Sequence, residues 1–191
     1  MPRIRIPPHP DVLPGELVDW RLALAKHYKR LGHNSRQRRF MVDLPNTALQ
    51  SLADQASPDI VLGVQADGRV IGVLEIFKGE DAHAEIAISV EDAYQGQGFG
   101  KALFLDGLAA ADRLKVRTAD LYFASENHGI RSLVSSAGGE IIQHGAECEA
   151  HINIANFNDC LVNACSAPIL KTVRLSELPD PNQPPEESHP D

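Results

Sequence analysis

The stretch at 94–101 combines residue types and spacing that could do ligand chemistry; it reads Tyr94-Gln95-Gly96-Gln97-Gly98-Phe99-Gly100-Lys101. An apolar run at 84–90 precedes it and another at 102–105 follows, which predicts a strand, a glycine-rich loop and a helix. Glycines let the backbone approach a ligand and turn successive N–H groups the same way. The start of a helix adds unpaired N–H groups and the positive end of its dipole. The sequence therefore predicts an anion cradle, with a pyrophosphate as the best fit.

Two common phosphate loops do not fit these residues. A Walker loop needs Ser or Thr after Gly-Lys, and Gly100-Lys101 is followed by Ala102. A dinucleotide loop needs a third glycine at position 101, which is Lys. The form that remains is Gln/Arg-x-x-Gly-x-Gly/Ala, and 95–100 matches it at every fixed position. The competing structural interpretation is a helix start that merely uses glycines.

This loop resembles the coenzyme A pyrophosphate loop of the GNAT N-acetyltransferases. The order and spacing downstream also resemble that family, with an apolar run at 118–124, Asn127, a helix and Gly138-Gly139. The text at 84–96, and Ser35 followed by Arg39-Phe40, resembles the Pat-like bacterial protein-lysine acetyltransferases. The resemblance covers roughly 35–155 and is specific over 84–103.

The resemblance implies an α/β (α+β) GNAT fold. Its central sheet is mixed and mostly antiparallel, has about six to seven strands, and is flanked by helices and splayed at the acetyl-CoA site. It also implies acetyl-CoA as acyl donor, with its pyrophosphate on the 95–101 loop and its pantetheine near Asn127 and the end of the preceding strand. The implied donor-binding residues are Ile88, Ser89, Val90, Gln95, Gly96, Gln97, Gly98, Phe99, Gly100, Lys101 and Asn127.

The strand before the loop supplies a candidate general base. Because side chains alternate between faces, Glu85, Ala87 and Ser89 share one face, while the apolar side chains at 86, 88 and 90 are predicted to enter the core. A lysine ammonium has a pKa of about 10.4, so a base is needed at neutral pH. Glu85 is the best candidate, and it falls where the Pat-like enzymes carry their catalytic Glu. Glu75 and His83 are the second and third candidates, and an ordinary exposed strand Glu is the structural alternative.

Two positions depart from the GNAT pattern. Many GNAT enzymes carry a Tyr seven residues after the Asn, as general acid for the thiolate, and this chain has Val134 there. The Phe of the usual Gly-Phe turn is Gly139. A thiol has a pKa of about 8.5, so its thiolate leaves without much help and catalysis remains compatible with the loss.

Composition fits one small enzyme domain. The 191 residues are 43% hydrophobic, enough for a single core. We predict one domain over 1–175, including an extension at 156–175 beyond the usual family end. The three cysteines, at 148, 160 and 165, lie outside the motif and form no metal-ligand set, so neither cysteine catalysis nor a metal is expected. With no signal peptide and no bilayer-length apolar run, we predict a cytoplasmic protein without a membrane partner.

Charge and hydrophobicity are uneven. The net charge is −8, and 176–191 is acidic and proline-rich, which predicts a disordered tail. Basic residues cluster at 26–39, either as a docking face for an acidic partner or nucleic acid, or as a solvated helix face with structural arginines. We favour the solvated face and predict no nucleic-acid partner. The apolar 156–175 segment should pack on the core or across a homodimer interface.

Apolar periodicity and turn signals predict the remaining elements. Asn46 is the expected cap of the second helix, and the Asp67-Gly68 turn marks a hairpin. The predicted helices are 16–31, 46–53, 97–114 and 130–137, and the predicted strands are 3–6, 60–65, 70–78, 83–90, 118–124, 140–144 and 149–154.

Three functions remain open from the sequence. The first is a protein-lysine acetyltransferase, which the Pat-like text suggests. The second is a small-molecule amine acetyltransferase, which the same loop supports equally. The third is a non-catalytic acyl-CoA-binding module, which the missing Tyr keeps open.

Overall fold

A computed structural model describes residues 20–42, 44–66, 68–155 and 172–174 of the chain. The strand predicted at 3–6, the tail and most of the 156–175 extension lie outside the described residues. Within the described part, no helix has the length and apolar character needed to cross a bilayer.

A seven-stranded sheet forms the centre of the fold, in the order β5-β6-β4-β3-β2-β1-β7. Every neighbouring pair of strands is antiparallel except β3 and β4, which are parallel. The predicted mixed, mostly antiparallel sheet is confirmed. The strands are β1 (Ile60–Ala66), β2 (Arg69–Lys78), β3 (His83–Val90), β4 (Thr118–Ala124), β5 (Glu140–His144), β6 (Glu147–Asn153) and β7 (Thr172–Arg174).

Helices cover both faces of this sheet. The helices are α1 (Trp20–Arg30), α2 (His33–Phe40), α3 (Asn46–Gln55), α4 (Phe99–Arg113) and α5 (His128–Ser136). One hydrophobic cluster joins α1 and α3 to β1 and β2, and the other joins α4 and α5 to the opposite face. Gly107 lets α4 approach the sheet, because a Cβ at that position would lie 2.4 Å from a methyl carbon of Leu74.

The sequence missed one helix and misplaced one helix cap. α2 was not predicted, because its residues are mostly polar and show no apolar periodicity. Asn46 is not the cap of α3: Pro45 occupies that position without a capping side chain, and Asn46 is the first helical residue. Its side-chain oxygen instead accepts a hydrogen bond from Arg36. α4 starts two residues later than predicted and β6 two residues earlier, while β3, β4 and β5 match.

The parallel pair β3 and β4 separates part of the way along the strands. Backbone pairing joins the two strands only from His83↔Thr118 to Glu85↔Asp120. Beyond these pairs, β3 continues to Val90 and β4 to Ala124 without pairing to each other. The sheet therefore opens just after Glu85, which confirms the predicted splay.

Candidate active site

The glycine-rich loop connects β3 to the start of α4. A 3-10 turn, Asp92–Tyr94, follows β3, and Gly96 and Gly98 then have φ angles of 71° and 92°. These angles lie in the left-handed region that favours glycine. The first intrahelical bond of α4 runs from the N–H of Ala102 to the carbonyl of Gly98 at 3.0 Å. The three N–H groups before Ala102 therefore precede the helical ladder and can receive an anion.

Side chains of the loop hold its shape. The amide nitrogen of Gln95 donates to the Ser35 hydroxyl at 3.1 Å and to the Val90 carbonyl at 2.9 Å. Gln97 donates to the carbonyl of Ala93 at 2.8 Å. Gln95 thus ties the loop both to α2 and to the end of β3.

A cavity of about 310 Å³ lies against this loop, which we call the donor cavity. Nine of the eleven predicted donor-binding residues line it. Gln97 and Phe99 do not, because the Gln97 amide turns back to its own loop and the Phe99 ring packs on Tyr94 and the core. The lining residues are Ser35, Arg38, Arg39, Ile88, Ser89, Val90, Gln95, Gly96, Gly98, Gly100, Lys101, Asn127, Gly129, Ile130 and Leu133.

The alternation predicted for β3 holds only at its start. Ile86 is buried at 2% exposure, but Ile88 and Val90 are half-buried and line the donor cavity rather than entering the core fully. The reason is the splay, because β4 no longer covers the strand beyond Glu85.

Helix α2 is anchored to the turn that precedes the glycine loop. The Asp92 carboxylate accepts hydrogen bonds from the Gly32 N–H at 2.8 Å and from the Ser35 hydroxyl at 2.9 Å. Gly32 is the N-cap of α2, so Asp92 accepts one of the backbone N–H groups that the start of the helix leaves unpaired. The position of α2 over the cavity is therefore coupled to the loop.

A buried polar network lies beneath the same loop. The His27 imidazole is fully buried, and its Nε2 lies 2.9 Å from the Ser89 hydroxyl. Its Nδ1 lies 3.8 Å from Glu91, which also pairs with Arg30 at 2.6 Å and with Arg69 at 3.1 Å.

Within this network, the pKa values of His27 and Glu91 are both lower than usual. Burial lowers the pKa of His27 below its usual 6.5, which outweighs the attraction of Glu91. Burial alone would raise the pKa of Glu91, but the nearby His27 imidazole, the hydrogen bond from Arg30 and the neighbouring guanidinium charges lower it overall. At neutral pH, His27 is therefore neutral and Glu91 is ionised.

Glu75, the second candidate base, is already committed to protein partners. Its side chain is 2% exposed, and it accepts hydrogen bonds from the Tyr28 hydroxyl at 2.7 Å and from Arg39 at 2.5 Å. Burial alone would lower the pKa of Arg39, but the Glu75 charge raises it by more, so the guanidinium stays charged. Burial raises the pKa of Tyr28 far above its usual 10, so its hydroxyl stays protonated. Glu75 serves as the buried counter-ion of Arg39.

Glu85, the first candidate, differs from Glu75 although both carboxylates lie on the same face of the sheet. Glu85 is exposed, and within the described residues no hydrogen bond or ion pair engages its carboxylate. It lines a second cavity of about 250 Å³ at the splay, which we call the acceptor cavity. The residues around it are Arg38, Arg39, Phe40, Met41, Glu85, Ile86, Ala87, Ile88, Leu121, Tyr122 and Ile130.

The two cavities share one wall. Arg38, Arg39, Ile88 and Ile130 line both of them. A donor bound along the loop and an acceptor bound beside Glu85 would therefore meet at the splay of β3 and β4.

Helix α5 carries the two family-type positions of the downstream motif. Asn127 caps α5, since its side-chain oxygen accepts from the Ile130 N–H at 3.2 Å, and it lines the donor cavity. Val134 is fully buried in the core beside Gly139. Leu133 and Ile130 face the cavity instead, so α5 offers apolar contact and no hydroxyl there.

His83, the third candidate base, belongs to a cluster on the open face of the sheet. The Asp120 carboxylate lies 2.9 Å from its Nδ1 and 2.7 Å from Nδ1 of His151. The hydrogen bond to Asp120 raises the pKa of His151. Ligand atoms of Asp120, Glu149 and His151 all lie within 4.8 Å of one another, a grouping that sequence reasoning missed because β4 and β6, which contribute to it, are separated in the chain.

The basic cluster at 26–39 is largely explained by contacts within the fold. Arg30 pairs with Glu91, Arg39 with Glu75, and Lys29 donates to Gln50. These contacts support the interpretation of the basic cluster as a helix face with structural cations.

Comparison with known proteins identifies the fold. The family model described as Acetyltransferase (GNAT) family matches residues 22–138. None of the curated proteins matches the chain. The GNAT domain of S. lividans PAT is a similar solved structure, with a TM-score of 0.57, 19% identity, and coverage of 71% of this chain and 86% of that one.

Two other solved structures have comparable similarity. PaiA N-acetyltransferase from Thermoplasma acidophilum, solved with coenzyme A, has a TM-score of 0.53 and 17% identity, covering 72% of this chain and 94% of that one. The ribosomal-protein-alanine N-acetyltransferase from Brucella melitensis has a TM-score of 0.53 and 18% identity, covering 73% and 96%.

Proposed function

Because the chain belongs to the Acetyltransferase (GNAT) family, we propose that it transfers an acetyl group from acetyl-CoA to a primary amine by direct attack in a ternary complex. The observation that carries the proposal is the meeting of two cavities at the splay. One lies along an anion-binding loop, and the other is bounded by a carboxylate without a protein partner among the described residues.

The donor would bind along β3 and the loop. Its pyrophosphate would accept hydrogen bonds from the N–H groups between Gln95 and Lys101, helped by the Lys101 charge and the α4 dipole. Pantetheine would pair with the free edge of β3 at 88–90 and contact Asn127. CoA-bound relatives such as the PaiA protein support a CoA donor.

Glu85 would act as the general base. The amine enters the acceptor cavity as an ammonium ion, loses a proton to Glu85 directly or through one water, and attacks the thioester carbon. An N–H near Val90 would stabilise the oxyanion, after which the C–S bond breaks, the thiolate leaves, and the new amide nitrogen releases its second proton to solvent. With Val134 in the core, no family-type Tyr protonates it, and its low basicity makes this tolerable.

The acceptor is proposed as a class only: a protein lysine or a small-molecule amine. The Pat-like text at 35–40 and 84–96 supports the lysine. The volume of the acceptor cavity, about 250 Å³, supports a small molecule. The cytoplasmic location and the homodimer stay predictions from the sequence.

The test is thiol release from acetyl-CoA in the presence of amines, comparing wild type with Glu85→Gln. The substitution keeps the shape but removes the proton acceptor, so turnover at saturating substrates should fall by about 10²–10⁴-fold while acetyl-CoA affinity stays constant. Glu147→Gln is the matched control, since Glu147 is an exposed strand Glu outside both cavities. A loss below about threefold would assign the base role to a water molecule rather than to Glu85.

A further inference from the structure

The acceptor cavity is lined by two side chains of opposite charge that make no hydrogen bond or ion pair with the described residues. Of the four charged or titratable residues that line it, Arg39 is paired with Glu75 below the cavity, and the Tyr122 hydroxyl donates to Glu149 at 3.0 Å. That leaves Glu85 on the sheet and Arg38 on α2. Across the described residues, neither side chain has a hydrogen bond or an ion pair, although both are close enough to line one small space. The cavity is therefore dipolar rather than uniformly acidic.

The position of Arg38 on α2 relates it to the acceptor more than to the donor phosphates. Ser35, one turn earlier, contacts Gln95 of the loop and marks the donor end of the helix. Phe40 and Met41, at the other end, line only the acceptor cavity. Arg38 lies on the boundary, three residues beyond Ser35, or about 4.5 Å farther along the helix axis. The loop N–H groups and Lys101 already provide the pyrophosphate with donors.

Apolar residues form part of the walls between the two charges, together with Arg39 and Tyr122. Phe40, Ile86, Ala87, Ile88 and Leu121 surround the space between α2 and the strands. A ligand that fits these walls would have a short hydrocarbon stem and a charged group at each end. Its ammonium end would face Glu85, and its anionic end would face Arg38, where a guanidinium can bind a carboxylate through two hydrogen bonds.

On the basis of the proposed acetyl transfer, we propose that the acceptor is a primary amine carrying a carboxylate, and that Arg38 determines this specificity by binding the carboxylate. The same chemistry occurs in a free ω-amino acid and in a peptide lysine next to an acidic residue. Arg38 binds the far end of the acceptor and takes no part in proton transfer.

Matched acceptor pairs test the proposal. Thiol release is measured for 4-aminobutyrate against butylamine and for 6-aminohexanoate against hexylamine, each pair differing by the carboxylate. Two capped peptides, Lys-Asp and Lys-Asn, form the peptide arm. We expect wild type to favour the carboxylate member of at least one arm by about 10–100-fold in kcat/KM, the effect of one charge-assisted contact. The favoured arm identifies the source of the carboxylate.

The variant Arg38→Gln should abolish that preference, because the KM of the carboxylate acceptor should rise more than the KM of the plain amine or of acetyl-CoA. Arg38→Lys should restore part of it, because it returns the charge without the planar pair of donors. Arg113→Gln, which removes an exposed cation from the end of α4, is the control. Unchanged melting temperatures show that each variant is folded.

Two results would overturn the proposal. One is equal wild-type activity on both members of every pair. The other is an Arg38→Gln variant that raises the KM of acetyl-CoA and keeps the carboxylate preference, which would assign Arg38 to the donor. Failure of the proposed acetyl transfer is distinct, because then no amine of either type would promote thiol release.

Discussion

The donor and acceptor cavities adjoin each other, but they are built in different ways. The donor cavity takes eight of its fifteen lining residues from one continuous segment, from the end of β3 through the loop into α4, where glycines bring backbone N–H groups to the cavity. The acceptor cavity takes its lining from α2, β3, β4 and α5, and its polar groups are side chains. A site made of local backbone depends on glycine spacing, whereas a site made of distant side chains depends on tertiary packing.

The sharpest contrast within the acceptor side is between two carboxylates on neighbouring strands. Glu75 and Glu85 lie on the same sheet face, but Glu75 is covered by α1 and α2 and paired with Arg39. Glu85 lies where the strands diverge and stays open to the cavity. Position on the sheet, rather than residue type, separates the counter-ion from the candidate base.

Breaking the buried ion pair between Arg39 and Glu75 should have the largest effect on stability. Arg39→Met leaves Glu75 as an uncompensated charge at 2% exposure, so we expect a loss of about 3–5 kcal/mol in the free energy of unfolding. Urea denaturation measures it. The double variant Arg39→Met/Glu75→Gln should regain a large part of the loss, because no buried charge remains unpaired.

Exposed cations provide the reference for that experiment. Arg113→Gln should change the free energy of unfolding by less than about 0.5 kcal/mol. If Arg39→Met cost no more than this control, Glu75 would not depend on its partner and could again be considered as a base.

A smaller effect, the change of folding stability with pH, should distinguish His27 in the buried network from His151 on the open face of the sheet. Burial lowers the pKa of His27 in the folded protein. Below about pH 6.5, the unfolded chain therefore binds a proton at His27 more readily than the folded chain does. His27 therefore decreases stability as the pH falls from 6.5 towards its folded pKa. His151, whose pKa is raised by Asp120, stabilises the fold at low pH and loses this contribution as the pH rises through its folded pKa.

Melting temperatures between about pH 8 and pH 5.5 test both signs. Relative to wild type, His27→Gln should lose less stability on acidification, and His151→Gln should lose more. The two variants serve as controls for each other. Parallel curves for both variants would contradict the assigned directions.

The sequence predicted the donor side of the site, which is built from local signals, better than the acceptor side. The strand, loop and helix at 83–113 were predicted to within two residues, because alternation, glycines and helical periodicity are local signals. Nine of the eleven predicted donor residues line the cavity, and the exceptions, Gln97 and Phe99, lie in the loop but turn away. α2 could not be predicted, since it is anchored by Asp92 and by Gln95 from some sixty residues away.

The sequence also did not predict the roles of individual charged residues. Arg38 and Arg39 are adjacent in the basic cluster and both line the two cavities, yet Arg39 is paired with a buried Glu and Arg38 has no ion pair among the described residues. The resemblance of Ser35 and Arg39-Phe40 to the Pat-like text marked this segment but assigned no role to either arginine.

The central claim is that the glycine loop binds acetyl-CoA through its pyrophosphate, and direct binding tests it. Acetyl-CoA should raise the melting temperature of wild type. Gly98→Asp places a carboxylate in the cradle and should abolish the rise. Gly145→Asp, at a β5–β6 turn with a φ of 66°, introduces the same charge and a similar backbone strain away from the loop, and it should keep the full rise. Equal stabilisation of all three proteins by acetyl-CoA would contradict the account.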